Sequence, residues 1–100
     1  MKKLIKDGQV ALLISHGFGA GWSTWGDDDM VFEPVIAQMI LDKTPIQTML
    51  NYLDDKYPNF YTGGLDSLVV EWLEEGVSFA VDEYDGAETL RTSEYLRSTT

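Results

Sequence analysis

The sequence predicts an α+β domain in the order β-α-α-β-β-β, with a mainly antiparallel sheet and two helices on one sheet face. Three observations carry this expectation. The apolar run Val10 to Ile14 is long enough for a strand and too short for a helix. Two stretches with apolar residues at helical spacing, each opened by a proline, lie between Pro34 and Tyr57. Alternating stretches divided by glycine turns fill the second half.

Leu4 to Lys6, Asp7-Gly8 and Gln9-Val10 are expected to form a hairpin, because Asp-Gly supplies the positive φ angles of a type I′ turn. Val10 to Ile14 lacks polar alternation, which fits a central strand covered on both faces. Gly17 to about Met30 is expected as loop, kept wet by Asp27, Asp28 and Asp29. Pro34 suits a first helical position, with Val35, Ile36, Met39 and Ile40 as a narrow apolar face. Lys43-Thr44 leaves room only for a tight corner. Thr44-Pro45 then caps a second helix, in which Ile46, Met49, Leu50, Leu53 and Tyr57 recur before Pro58 stops it.

Gly63-Gly64 opens the second half. Leu68, Val70 and Trp72 alternate with Val69, Glu71 and Leu73, and Glu74-Glu75-Gly76 turns the chain. Val77, Phe79 and Val81 alternate with Ser78, Ala80 and Asp82, and Asp85-Gly86 turns again into Ala87 to Thr92. These three strands are expected as an antiparallel meander. The polar tail, 93–100, is expected to fray, with Tyr95 and Leu96 as the residues that would dock it. Residues 1–100 form one domain.

A chain of 100 residues with 44% hydrophobic, 12% aromatic and 24% charged residues has ordinary globular usage and supports one modest core. Cysteine is absent, which excludes disulfides, thiolate metal sites and cysteine nucleophiles and is compatible with a reducing cytoplasm. His16 is the single histidine, so a His-rich metal centre is excluded, and neither metal nor cofactor is expected. Met1-Lys2-Lys3-Leu4-Ile5 opens like a signal peptide, but Asp7 and Gly8 interrupt it, so neither a leader nor a membrane span is expected.

The net charge is −10, from 17 acids against 7 bases. No Lys or Arg occurs between Lys56 and Arg91, a gap that runs through Asp66, Glu71, Asp82 and Glu88. Repulsion therefore disfavours nucleic acid and anionic membranes as partners. Solvation is the simpler use of such a surface. The sharper one is occupation of a basic site on a host protein, as a nucleic-acid mimic.

The candidate site comprises His16, Gly17, Phe18, Gly19, Gly21, Trp22, Ser23, Thr24 and Trp25, directly after the first long strand. Gly17, Gly19 and Gly21 permit positive φ and let backbone amides approach a ligand closely. Trp22 and Trp25 are open between two roles, core lid and ligand platform, whereas Trp72 in its alternating strand is core. Asp82, Glu83 and Tyr84 at a strand end complete the site. An inward carboxylate there, meeting the Gly17–Gly21 amides, would make a polar floor of the kind that binds ribose hydroxyls. Calcium-loop spacing is missing from this acidic segment.

Enzyme motifs fail in turn. Ser15-His16-Gly17-Phe18-Gly19 after a strand resembles the oxyanion loop of α/β-hydrolases, but no Gly-x-Ser-x-Gly follows and the chain is too short for that fold. Gly17, Gly19 and Gly21 read G-x-G-x-G rather than a dinucleotide fingerprint, and no Walker A lysine exists. Adjacent residues on extended backbone point apart, so Ser15 and His16 with an acid such as Asp82 do not make a proton relay. A hydrogen-bonded structural role is expected for His16.

Gly-Phe-Gly-Ala-Gly-Trp-Ser-Thr-Trp at 17–25 is similar to the signature of a group of small proteins of tailed bacteriophages and prophages. Val31-Phe32-Glu33-Pro34, Lys56-Tyr57-Pro58, Tyr61-Thr62-Gly63-Gly64, Val70-Glu71-Trp72 and Asp82-Glu83-Tyr84-Asp85-Gly86-Ala87-Glu88 agree in order, across nearly the whole chain. The resemblance departs at Ser15-His16, where that group has Ser-Pro. It implies a phage origin and action in the host cytoplasm, and it implies no particular activity.

The leading expectation is a non-enzymatic binder that counteracts host defence by sequestering a nucleotide-like immune signalling molecule. Loop amides would take its anionic group, Trp22 or Trp25 would stack, and Asp82 or Glu83 would accept from ribose. Lys2, Lys3, Lys6 or Arg91 would have to offset the net charge. The rival is an acidic protein-binding inhibitor of a host defence protein, anchored by Trp22 and Trp25. A third reading is a small hydrolase using His16. A homo-oligomer is expected, because so short a chain has little room for an enclosed pocket.

Overall fold

Val10 to Ile14 has no exposed surface, and the fold is arranged around it. In the computed structural model, which describes residues 2–92 and 98–100, the run lies in β2 (Gln9–Ser15). Its side chains divide by parity. Ala11 and Leu13 join Trp22, Ile36, Met49 and Leu53, while Val10, Leu12 and Ile14 join Val31 and Phe79. Burial on both faces is why this strand carries no polar alternation. Full burial of a Leu or Ile is worth roughly 1.5–3 kcal/mol, so a polar substitution on either face is costly.

β1 (Ile5–Lys6) and β3 (Leu68–Glu74) flank β2, both antiparallel, with Ala11 opposite Trp72 and Leu13 opposite Val70. A second sheet has β4 (Ser78–Tyr84) between β5 (Ala87–Thr92) and β6 (Ser98–Thr99). Both Asp-Gly pairs make two-residue hairpin turns with positive φ at both positions: 53° and 76° at Asp7 and Gly8, 49° and 83° at Asp85 and Gly86. That is the type I′ geometry, whose twist matches the paired strands.

α1 (Pro34–Leu41) and α2 (Ile46–Lys56) contribute Ile36, Ala37, Met49 and Leu53 to the Ala11–Leu13 cluster. Both helices therefore cover one face of the first sheet, as the sequence predicts, and the second sheet covers the other. A radius of gyration of 12.8 Å agrees with the ~13 Å of one compact domain of this length. The domain is α+β.

The expected meander is corrected. β3 and β4 lie in different sheets, and the Glu74–Gly76 turn carries the chain from one layer to the other. A β4 paired to β3 would have extended the first sheet sideways and left Val10, Leu12 and Ile14 uncovered. Crossing over brings Phe79, Val81 and Leu90 onto that face instead. The far edge of β4 is thereby free, and Ser98–Thr99 pair with it opposite Phe79 and Ser78. The Thr100 amide donates to the Val77 carbonyl at 3.0 Å, so the frayed end expected over 93–100 is corrected for 98–100. Residues 93–97, with Tyr95 and Leu96, lie outside the described residues.

Two further local expectations change. Within the expected loop, Asp28–Phe32 forms a 3₁₀ turn whose first cap is the Asp27 carboxylate, accepting from the Asp29 amide at 3.0 Å. Pro45 rather than Thr44 occupies the N-cap of α2 and makes no side-chain cap bond. The strong cap belongs to α1. The buried Glu33 accepts from the Ile36 amide at 2.7 Å and from the Tyr52 and Tyr57 hydroxyls at 2.6 and 3.2 Å, pinning α1 to α2.

Burial, then the Glu33 hydrogen bond, holds the Tyr52 phenol well above its ordinary range, and burial and the Glu33 charge raise Tyr57. A folded-state pKa above the unfolded one means stability that is intact in neutral solution. It is lost as pH rises past about 10, where the unfolded chain's phenols ionise first. Denaturant unfolding across the alkaline range is expected to show a steeper loss for the natural chain than for a Tyr52→Phe, Tyr57→Phe variant. Equal slopes would refute the coupling to Glu33.

Candidate functional site

The glycine loop is built onto the β4–β5 turn. Glu88, on the inward side of β5 with Leu90, is buried, and its carboxylate is surrounded by loop donors. One oxygen accepts from the Ser15 amide at 3.0 Å. The other accepts from the amides of Trp22 and Thr24 at 2.9 and 3.1 Å and from the Thr24 hydroxyl at 2.6 Å. Beside it, the Gly19 amide donates to the Asp85 carbonyl and the Gly21 amide to the Gly86 carbonyl at 2.8 Å. A carboxylate does lie beneath the loop, but it is Glu88 rather than Asp82 or Glu83, and it meets the amides of Ser15, Trp22 and Thr24 rather than those of Gly17 to Gly21. Its consequence is the reverse of an open anion site: the amides of Gly19, Gly21, Trp22 and Thr24 already have acceptors within the chain.

Gly21 shows what the glycines do. Its φ is +64°, and a Cβ there would lie 2.6 Å from the Trp25 indole, so its bare backbone is a bed for that ring. Trp22 and Trp25, open between two roles in the sequence, separate here. Trp22 has 0% exposure, stacks edge-on against Phe60 and donates its indole N–H to the Met30 carbonyl at 3.0 Å, so it is core. Trp25 is 46% exposed. Ser23 is buried and Thr24 is held by Glu88.

The remaining candidates disperse. His16 Nε2 lies 3.4 Å from a Glu71 carboxylate oxygen, while the Ser15 hydroxyl is buried where a Cβ on Gly64 would be 2.7 Å away. The two side chains thus sit in different surroundings. Gly17 packs on Ser67. Asp82 pairs with Arg91 at 2.7 Å, and its hydrogen bond and charge raise the guanidinium pKa. Glu83 accepts from the Gly86 amide at 2.8 Å. Phe18 and Tyr84, 77% and 74% exposed, meet edge to face with ring centres 6.5 Å apart.

Between the end of the glycine loop and the segment after α2 lies an open groove of about 600 Å³, lined by Trp25, Asp27, Asp29, Tyr57, Phe60 and Tyr61 among others. The Trp25 and Tyr61 rings lie 6.2 Å apart at 42° and share its apolar wall. Tyr61 is fixed by its hydroxyl, which donates to the Ala20 carbonyl at 2.9 Å. Among the described residues no Lys or Arg lines this groove. Lys3 sits 4.5 Å over the Phe32 ring and Arg91 is on Asp82, so neither supplies the offsetting cation that an anionic ligand would need.

Of the groove residues, sequence reasoning singled out Trp25 alone as a site. The signal for the rest was three aromatics, Tyr57, Phe60 and Tyr61, within five residues around Pro58 and just before Gly63. The signal for Glu88 was its parity with Leu90, which turns an acid inward. Among the described residues no cluster of His, Asp and Glu is arranged to hold a metal ion, and no helix is long and apolar enough to cross a membrane. Comparison with protein-family models, curated proteins and solved structures finds no match to this chain.

Proposed function

We propose that the protein is a non-enzymatic binding protein that docks a basic protein partner on its aromatic and acidic face. The observation that supports this is the groove of Trp25 and Tyr61, edged by Asp27 and Asp29, in a chain of net charge −10. Phe18 and Tyr84 extend the exposed aromatic surface beside the braced loop. Rigid aromatic anchors with a charged rim are the usual energetic centre of a protein interface. In the phage setting implied by the sequence resemblance, such a face would occupy the nucleic-acid site of a host protein. The groove is assembled within one chain, so this reading does not need the expected homo-oligomer.

A second reading keeps the nucleotide-like ligand and moves it from the loop amides to the Trp25–Tyr61 wall, where a base would stack. A groove of about 600 Å³ favours it, being within the size range of small-molecule sites. Native mass spectrometry with cyclic and ADP-ribose-type nucleotides on one side, and lysine- and arginine-rich peptides on the other, separates the two. The expected result is peptide adducts that vanish as salt rises, with no retained nucleotide. Stoichiometric nucleotide and indifference to peptides would move the function to the second reading.

A further inference from the structure

We infer that the Trp25–Tyr61 groove is a receptor for the guanidinium of a single arginine side chain on the partner. This rests on the protein-docking reading above and names the group that reading leaves unspecified.

Three features of the groove select that group. The apolar wall is two aromatic rings, and a planar cation stacks on such faces better than a compact ammonium does. Asp27 and Asp29 line the same groove, and neither takes part in the two ion pairs among the described residues, His16–Glu71 and Arg91–Asp82. Asp27 uses one oxygen, Oδ1, to cap the Asp29 amide, which fixes the carboxylate, and its second oxygen accepts no hydrogen bond among the described residues. A guanidinium presents five donors in a flat fork, suited to stacking and to carboxylate pairing at once.

The wall is also held in place before any ligand arrives. The Trp25 indole lies on the bare backbone of Gly21 and against Gly86, and the Tyr61 hydroxyl is tied to the Ala20 carbonyl. The loop beneath is braced by Glu88. Little side-chain ordering is then required on binding, which favours affinity from a small contact area. Among the described residues the lining holds no lysine or arginine to compete for the carboxylates.

The test uses the whole protein and a short, otherwise uncharged peptide carrying one central arginine, beside the same peptide with lysine or with citrulline. Citrulline keeps the planar shape and removes the charge. Binding is read by calorimetry and by quenching of Trp25, with the fully buried Trp22 and the partly buried Trp72, which does not line the groove, as the background. The arginine peptide is expected to bind about tenfold more tightly than either analogue, and to weaken as salt rises.

Trp25→Ala is expected to abolish the difference. Asp29→Asn and Asp27→Asn, which retain shape and the Asp27 cap, are expected to weaken arginine binding several-fold while leaving citrulline unchanged. Ile46→Ala, at an exposed position of α2 outside the groove, is the variant that should bind arginine normally. Equal binding of arginine and lysine, with citrulline weaker, would overturn the guanidinium assignment and leave the docking face standing, whereas citrulline binding as tightly as either would overturn both. A failure of every basic peptide, single or multiply charged, would overturn both.

Discussion

Replacing Glu88 with alanine is expected to destabilise the domain by about 3–5 kcal/mol, because the buried amides of Ser15 and Trp22 lose the carboxylate that accepts from them. Each unpaired buried donor costs about 1–3 kcal/mol, and the half-buried Thr24 amide and hydroxyl add to that. A domain of this size has about 5–15 kcal/mol in total, so the loss is a large share of it. A competing effect has the opposite sign. In a chain of net charge −10, deleting any carboxylate relieves repulsion. Glu75→Ala measures that relief alone, since Glu75 is exposed and its change should fall within about 0.5 kcal/mol.

Glu88→Gln refines the point. It keeps the side-chain shape but places an amide NH₂ where one carboxylate oxygen accepts, so a loss smaller than for alanine is expected. Denaturant midpoints read all three variants at constant slope. If Glu88→Ala and Glu75→Ala behave alike, the carboxylate is not the brace of the glycine loop. The functional consequence is separate from stability. Any surviving Glu88→Ala protein should hold Trp25 less firmly and bind arginine peptides more weakly.

Much of the fold is legible in the sequence because its signals are local. Asp7-Gly8 and Asp85-Gly86 demand positive φ at both turn residues, and both deliver it. Pro34 fits only the first turn of a helix, and Val10 to Ile14 can be unbroken only if covered on both faces. The sheet partners are not local. β3 satisfies β2 along seven residue pairs, and only then is β4 released to cover the opposite face. No turn residue at Glu74–Gly76 distinguishes a hairpin from a crossing between layers.

The surroundings of the glycine loop are less legible for a related reason. Glycines at 17, 19 and 21 announce that backbone comes close to something, without saying whether that is a ligand or another part of the chain. Here it is the β4–β5 turn and the Trp25 ring. Glu88 stood in an acidic stretch whose other members are largely solvated, and only its alternation with Thr89 marked it as inward. Trp25 was recognisable as a surface aromatic. Its neighbour Tyr61 lies 36 residues further along the chain, and only the fold brings the two rings together.

Gly86→Ala is expected to cost about 2–5 kcal/mol, in two parts that can be measured separately. The first is conformational. Gly86 has φ +83°, and a left-handed backbone costs a residue with a Cβ about 1–2 kcal/mol. The second is contact. A Cβ at Gly86 would lie 2.7 Å from the Ala20 amide nitrogen and 3.0 Å from both the Gly19 carbonyl carbon and the Trp25 ring, and crowding of this kind costs about 1–3 kcal/mol. Gly76 isolates the first part, since its φ is +89° and nothing lies within 4 Å of an added Cβ. Gly19, at φ +72° with the same open space, does so inside the loop itself. Gly76→Ala and Gly19→Ala should therefore lose about 1–2 kcal/mol each, and Gly86→Ala should exceed them by the contact part. Because backbone rather than a flexible side-chain end blocks the added methyl, relaxation has to part the turn from the loop and shift Trp25. Gly86→Ala should then weaken binding at the groove, whereas Gly76→Ala should not. Equal losses at the three positions would mean that the turn does not press on the loop, and the rigid aromatic wall would lose its physical basis.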